Sequence, residues 1–549
     1  MKKPVENQKQ LQSFLRNSDL GTASFFAVLA LSFNAFAQDF SASATMKSLV
    51  IDQGVDFSHS QLKNNVNFNS IEQNGKSGVD DDKNSFVDDI AGWNSVSNDG
   101  VYFPAHVLEK FTRNTTQVQK LLDLYTAVEN GDAQARRTIG SNPSLIQQIS
   151  ELLEYSHGTH VGGLVNKGAL GTARLQSVNV FEGSKPQGDN SENPIEGMNR
   201  KAFSNALRML DNLPEEIAAN TTTPLDVVPA ARESFLDDTQ GIKDFIVQMD
   251  QQNAAEYSAM SKYLQASQSK VANLSLGVAK KNIRDRLDQM WQEELAQAGL
   301  PENTAMTAAQ ESNYHLLIDG IYDSSARGWG TLFALNPDVL FVIAAGNDGE
   351  AELPDAGNID LNPVTPADQS AVYPNVLTVA ATDQEGVITD FSCFSPSKVN
   401  VGAWGKAVPS LAPGEHTVAM SGTSMASPLV AGLATKVRSI NPKLSAVQTR
   451  KLIENTVRKV ASLSGKVSTG GMIDSQAAVL AAQNSLNNPF HIALEKSLSS
   501  RSFERNGRAT TILNIDGSVL VLDLDMTREG QVSETPDLVK SIMKTAGLF

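Results

Sequence analysis

Three residue types that together activate a hydroxyl stand in this 549-residue chain in one order, Asp, His, Ser. Asp52 closes the run Val50-Ile51-Asp52-Gln53-Gly54, His157 opens His157-Gly158-Thr159-His160-Val161-Gly162-Gly163, and Ser424 lies in Gly422-Thr423-Ser424-Met425-Ala426-Ser427-Pro428. A serine hydroxyl is a poor nucleophile until an imidazole takes its proton, and a carboxylate must hold that imidazole in the right tautomer and stabilise its positive form. The three segments therefore propose one site for acyl transfer. Such a site also needs a fixed, uncharged donor for the negative charge that develops on the former carbonyl oxygen.

Each segment alone has an ordinary structural reading. Asp-x-Gly after an apolar run is a common strand-to-turn ending, and Ser424 could simply start a helix that has Pro428 near its first turn. His157 and His160 could be a hydrogen-bonded core pair or metal ligands, but no third His, Glu or Cys stands nearby in zincin-like spacing.

Taken together, the segments resemble the histidine, serine and aspartate signatures of the subtilisin-like serine peptidases, whose triad follows this order. The resemblance implies that His157 is the catalytic histidine and His160 a structural one. Val342-Ile343-Ala344-Ala345-Gly346-Asn347-Asp348-Gly349 is similar to the family strand whose asparagine donates to the oxyanion, which gives that role to Asn347. Asn273-Leu274-Ser275-Leu276-Gly277 resembles the strand that pairs with substrate backbone, so Ser275, Leu276 and Gly277 are expected on one wall of the S1 pocket. Ala344, Ala345 and Gly346 are expected on the other. Gln53, Gly162 and Trp404 replace a usual Ser or Thr, Ala and Pro, none of them at a triad position. A pseudoenzyme that binds peptides would keep the same fold, whereas a lipase or esterase would be expected to show a Gly-x-Ser-x-Gly elbow, which Ser424 lacks.

To converge, these residues need a scaffold that presents strand ends and helix starts along one edge. The expected class is α/β: a subtilisin-like three-layer fold with a mostly parallel sheet flanked by helices, helical insertions and a small β-rich C-terminal extension. The peptidase domain is expected over 38–485, with insertions near 95–155, 183–269 and 278–330, and the extension over 486–549. In the first insertion Val118, Leu121, Leu122, Tyr125 and Val128 share a helical face that stops at Asn130-Gly131, and Asn142-Pro143 opens a second helix. In the third, Ile283, Leu287, Met290, Trp291 and Leu295 do the same. The second and third insertions flank Asn273–Gly277 and are expected either to pack peripherally or to wall the cleft. Thr510 to Leu524 alternates apolar residues around Asp516-Gly517, a hairpin signal.

Asp80, Asp82, Asn84 and Asp88 sit at alternating positions, like ligands in an oxygen-rich calcium loop, but the closing glutamate of an EF loop is missing. Similar Asp-rich segments in bacterial subtilases usually carry glycine where this chain has Lys83 or Ser85. A structural calcium and a solvated acidic turn both fit, and no cofactor is required for the chemistry.

Lys2, Lys3, Lys9 and Arg16 precede an apolar stretch from Thr22 to Phe33 and then Ala35-Phe36-Ala37-Gln38, the small-x-small form of a signal peptidase site. Residues 1–37 are read as a signal peptide cut after Ala37, giving a secreted or periplasmic protein. The stretch is too short to span a bilayer comfortably, so no stable membrane insertion is expected after signal removal. A formal charge of −16 argues against nucleic acid or anionic membrane as the main partner, and the family resemblance implies polypeptide substrates. Cys393 is the single cysteine, which excludes an intrachain disulfide; a small buried hydrophobe is the reading set against a catalytic thiol.

Overall fold

The structure, a computed structural model, describes residues 46–181, 234–353, 355–499 and the strand residues 503–505, 508–515 and 518–525. The expected signal peptide and residues 183–233 of the second insertion lie outside the described residues.

Sixteen strands follow in chain order: β1 (Met46–Asp52), β2 (Gly92–Asn94), β3 (Ala173–Asn179), β4 (Val271–Leu274), β5 (Val278–Ala279), β6 (Leu340–Ala344), β7 (Val364–Thr365), β8 (Val376–Thr382), β9 (Val401–Trp404), β10 (Val408–Ala412), β11 (His416–Met420), β12 (Arg458–Lys459), β13 (Gly471–Met472), β14 (Phe503–Arg505), β15 (Arg508–Ile515) and β16 (Ser518–Asp525). The helices are α1 (Ser70–Asn74), α2 (Ala105–Thr112), α3 (Thr115–Glu129), α4 (Ala133–Gly140), α5 (Pro143–Gly168), α6 (Thr239–Ser267), α7 (Lys280–Gln297), α8 (Ala308–Leu335), α9 (Thr423–Ile440), α10 (Ala446–Asn455), α11 (Ser475–Asn484) and α12 (Phe490–Ser499).

Nine strands form one sheet in the order β12-β13-β9-β8-β6-β4-β1-β3-β2. Every pair in it is parallel except β12 with β13 at the edge. Parallel strands covered on both faces read as continuous apolar runs, as Leu340–Ala344 does with all five residues buried. Alternation assigns the faces. Leu49, Ile51, Ala272, Leu274, Phe341 and Ile343 meet Tyr257, Met260 and Leu264 of α6 and Trp329, Leu332 and Phe333 of α8 in one core. The opposite face receives α5 and α9, which also pack on each other; there Ser48 Oγ lies 2.7 Å from Thr435 Oγ1 of α9. The mostly parallel sheet with helices on both faces is the α/β layering expected from the sequence.

The register sets up the site. Ile51 stands beside Leu274, and Leu274 beside Ile343, so the chain leaves β1, β4 and β6 at one sheet edge carrying Asp52, Ser275 and Ala345–Asn347. The described parts of the second and third insertions share a core of their own, in which Ile242, Phe245 and Met249 of α6 meet Leu287 and Trp291 of α7 and Leu317 and Ile321 of α8. Among the described residues, no helix is long and apolar enough to cross a membrane.

The chain divides into two compact units, Thr45–Ala482 and one that carries α12 and β14–β16. In the latter, β15 and β16 pair antiparallel with Ile515 opposite Ser518, around the two residues read as the hairpin turn.

Candidate active site

Asp52 is the last residue of β1 and fully buried. Its Oδ1 accepts from the Gln53 backbone N–H at 2.8 Å and from His157 Nδ1 at 2.8 Å. Its Oδ2 is buried and has no partner among the described residues; Gln53, standing where a hydroxyl residue was expected, gives it none. Burial disfavours the imidazolium of His157, but the charge of Asp52 and the hydrogen bond to it outweigh burial and raise the pKa above the ordinary value.

His157 does not open a helix, as the sequence suggested. It lies well inside α5, which starts in the first insertion at Pro143, capped by Asn142 Oδ1 on the Leu145 N–H at 3.3 Å, and runs on to Gly168. Gly158 brings this helix against the turn after Asp52, since a Cβ there would lie 2.0 Å from the Gly54 carbonyl oxygen. Only glycine allows so close a backbone approach. His160, one turn further, is buried with Nε2 between the carbonyls of Val408 and Val418, at 3.0 and 3.1 Å. Burial and the neighbouring His157 pull its pKa down to about 3, so it stays neutral and donates to the β10–β11 hairpin.

Ser424 is the second residue of α9. Its Oγ donates to the Ser275 carbonyl at 3.4 Å, while Ser275 Oγ donates to the Ser424 carbonyl at 3.0 Å. Asn347 reaches the start of the same helix. Its Oδ1 accepts from the Thr423 N–H at 2.9 Å and from Thr423 Oγ1 at 3.0 Å. A backbone N–H can only donate, which fixes the amide orientation and leaves Nδ2 as the free donor end.

His157, Ser424 and Asn347 line one cleft of about 400 Å³ together with Ser275, Leu276, Gly277, Ala344 and Gly346. Ala345 does not line it. Strand alternation turns that side chain into the core, where it is fully buried. Residues missed in the sequence also line it: Tyr125 of α3, Leu153 and Glu154 of α5, Met420 at the end of β11 and Ser421 next to it. All of these belong to the first insertion or to the strand that leads into α9. The second insertion contributes none of the described lining residues and the third gives Ala279 and Asn282; the apolar faces of α6–α8 pack on one another and, for α6 and α8, on the sheet.

Cys393 is buried rather than catalytic in placement. Burial and the adjacent Asp348 push its thiol up to about 12, and its Sγ accepts from the Asp348 N–H at 3.4 Å behind the Asn347 turn.

In the acidic loop the structure brings Asp80 and Asp82 together with Glu72 of α1, whose oxygens lie within 4.8 Å of one another. Asp88 turns away, its Oδ2 accepting from the Gly78 N–H at 2.7 Å, and Asn84 Oδ1 accepts from the Phe86 N–H at 2.7 Å. Lys83 and Ser85 carry φ of 60° and 78°, the left-handed conformation that favours glycine at those two positions. Buried Asp89 adjoins the cluster, its carboxyl raised to about 7 by burial against the pull of hydrogen bonds from Asn69 and Asn84, with Asp82 and Glu72 adding to the rise. Glu72, Asp80 and Asp82 thus offer hard oxygen donors of one sign, the kind of group a divalent cation takes.

The family model of the subtilases matches residues 49–471. The chain belongs to the subtilase family. This subtilase is 24% identical over 452 residues to Subtilisin-like protease 1 of Plasmodium vivax, covering 81% of this chain and 48% of the relative. It is 34% identical over 145 residues to Subtilisin Savinase of Lederbergia lenta, covering 26% of this chain and 48% of that protein. A solved protease of Pseudoalteromonas arctica matches at 16% identity and a TM-score of 0.37, covering 81% of this chain and 92% of that one. The subtilase spans about half the length of the curated relatives it matches.

Proposed function

We propose that this subtilase is a secreted or periplasmic serine endopeptidase that hydrolyses peptide bonds of polypeptide substrates through an acyl-enzyme. The observation that carries the reading is the 2.8 Å contact of His157 Nδ1 with buried Asp52, on a histidine that shares its cleft with Ser424 and Asn347. That contact fixes the proton on Nδ1 and leaves Nε2 to act as base.

In the proposed cycle, substrate backbone lies along Ser275–Gly277 and across Ala344 and Gly346. Ser424 Oγ leaves the Ser275 carbonyl, gives its proton to His157 Nε2 and attacks the scissile carbonyl. Asn347 Nδ2 and the Ser424 N–H at the start of α9 hold the oxyanion. The tetrahedral adduct collapses as His157 protonates the leaving amine, and water, deprotonated by His157, then frees the acid from the ester. The chemistry needs no cofactor. A structural cation at Glu72, Asp80 and Asp82 is part of the same proposal and lies outside the reaction.

The purified mature protein is expected to take a fluorophosphonate label and to degrade casein but not a lipid ester. Ser424→Ala is expected to abolish both labelling and casein hydrolysis, and unchanged hydrolysis in that variant overturns the assignment. Labelling without any peptide hydrolysis points instead to a different acyl substrate.

A further inference from the structure

Helices of the first insertion build the wall of the cleft beside His157. Leu153 sits one turn before His157 on α5, on the same helical face. Tyr125 comes from α3, and Met420 ends β11, four residues before Ser424. All three line the cleft, and all three are large and apolar or aromatic.

Helix α3 is fastened along β11 by side chains that take the place of a neighbouring strand. Gln119 Nε2 donates to the Thr417 carbonyl at 3.0 Å and its Oε1 accepts from the Thr417 N–H at 3.3 Å. Thr126 Oγ1 accepts from the Ala419 N–H at 3.0 Å. Glu129 closes the series, accepting from Ser421 Oγ and, at 2.5 Å, from Tyr125 Oη. Gln119, Thr126 and Glu129 recur on one helical face while Thr417, Ala419 and Ser421 alternate along the strand, so the two periods match. This edge of β11 is already hydrogen-bonded, and a substrate on that side meets side chains rather than a strand with which to pair.

We infer that Tyr125, Leu153 and Met420 form a subsite for a bulky apolar side chain on the residue that follows the scissile bond. The inference rests on the peptidase reading and deepens it. The acyl half of the substrate occupies Ser275–Gly277 and the β6 end, whereas the leaving amine must come within reach of His157 Nε2 to be protonated. The chain beyond that amine therefore passes the wall on which Leu153 stands. Filling an apolar pocket discriminates by roughly 10-fold or more per missing group.

The test separates this subsite from the acyl side by offering amines to the acyl-enzyme. The nitrogen of an amino-acid amide attacks the Ser424 ester, a new amide bond forms as the ester C–Oγ bond breaks, and the amine proton passes through His157 to Oγ. Water competes for the same ester. With one peptidyl methyl ester as donor, leucinamide and phenylalaninamide are expected to be captured at least about 10-fold better than glycinamide. Leu153→Ala and, keeping length and helix propensity, Leu153→Gln should each lower the leucinamide-to-glycinamide ratio several-fold; fluorophosphonate labelling identifies which variant is folded. Equal capture of leucinamide and glycinamide by the wild-type protein, or an undiminished ratio in a labelled variant, overturns the subsite. Absence of both hydrolysis and capture overturns the peptidase reading itself, a result distinct from either.

Discussion

Asn347 meets two demands with one amide. Its oxygen caps the start of α9 through Thr423, and that anchoring fixes the opposite end of the amide as a donor. Asn347→Leu should lower kcat by roughly 10²–10³, the loss seen on removing such a donor in subtilisin itself, with KM little changed. A rise in KM that accounts for the whole loss would remove Asn347 from the oxyanion site. The two histidines of His157-Gly158-Thr159-His160 divide by environment. Asp52 keeps His157 titratable above its ordinary value of 6.5, while burial holds His160 neutral down to about pH 3. A general base works only when deprotonated, so kcat/KM should fall as pH drops through the raised pKa of His157, with the midpoint above 6.5. Asp52→Asn withdraws the charge that raises it, so the acid limb should move to lower pH while kcat drops about 10⁴-fold. An unmoved limb in that variant would deny Asp52 its role. Spacing alone did not say which histidine titrates; that was carried by the family resemblance and, in the structure, by the partners of each ring.

Among the elements, α3 and α7 were legible because their apolar residues repeat at helical spacing and end at clear stops such as Asn130-Gly131. The short polar helix α4 offered no apolar stripe and was missed. The continuation of α5 through His157 was missed because Gly158, Gly162 and Gly163 argue locally against a helix, and only the close approach to Gly54 explains Gly158. The acidic loop shows the same limit. Asp80 and Asp82 were readable from their alternation, but Glu72 reaches them from α1, outside any loop motif, and also accepts from the Asp81 N–H at 2.7 Å and the Asp88 N–H at 3.0 Å. An ion bound only by the folded chain stabilises it by mass action, so a chelator should lower the Tm of the wild type and barely alter that of Asp80→Ala/Asp82→Ala or Glu72→Gln. Equal sensitivity in all three, or none in any, leaves the segment a solvated acidic turn.

For the whole molecule, the charged, apolar and small-residue order of residues 1–37 predicts that the protein recovered outside the cytoplasm begins at Gln38. N-terminal sequencing checks this, and a cytoplasmic protein that retains Met1 contradicts it. The large acidic excess disfavours nucleic acid as the main partner. By itself the sequence determined the chemical groups and their order, because side-chain identity is a local property of the chain, and its resemblance to the subtilases implied the layered α/β class. Tertiary structure alone decided that Ala345 faces the core, that Glu72 joins Asp80 and Asp82, and that residues of the first insertion line the cleft. Each of these depends on which distant segments pack together, as where Thr126 meets Ala419 across 293 positions, and no local pattern of residues encodes such a meeting.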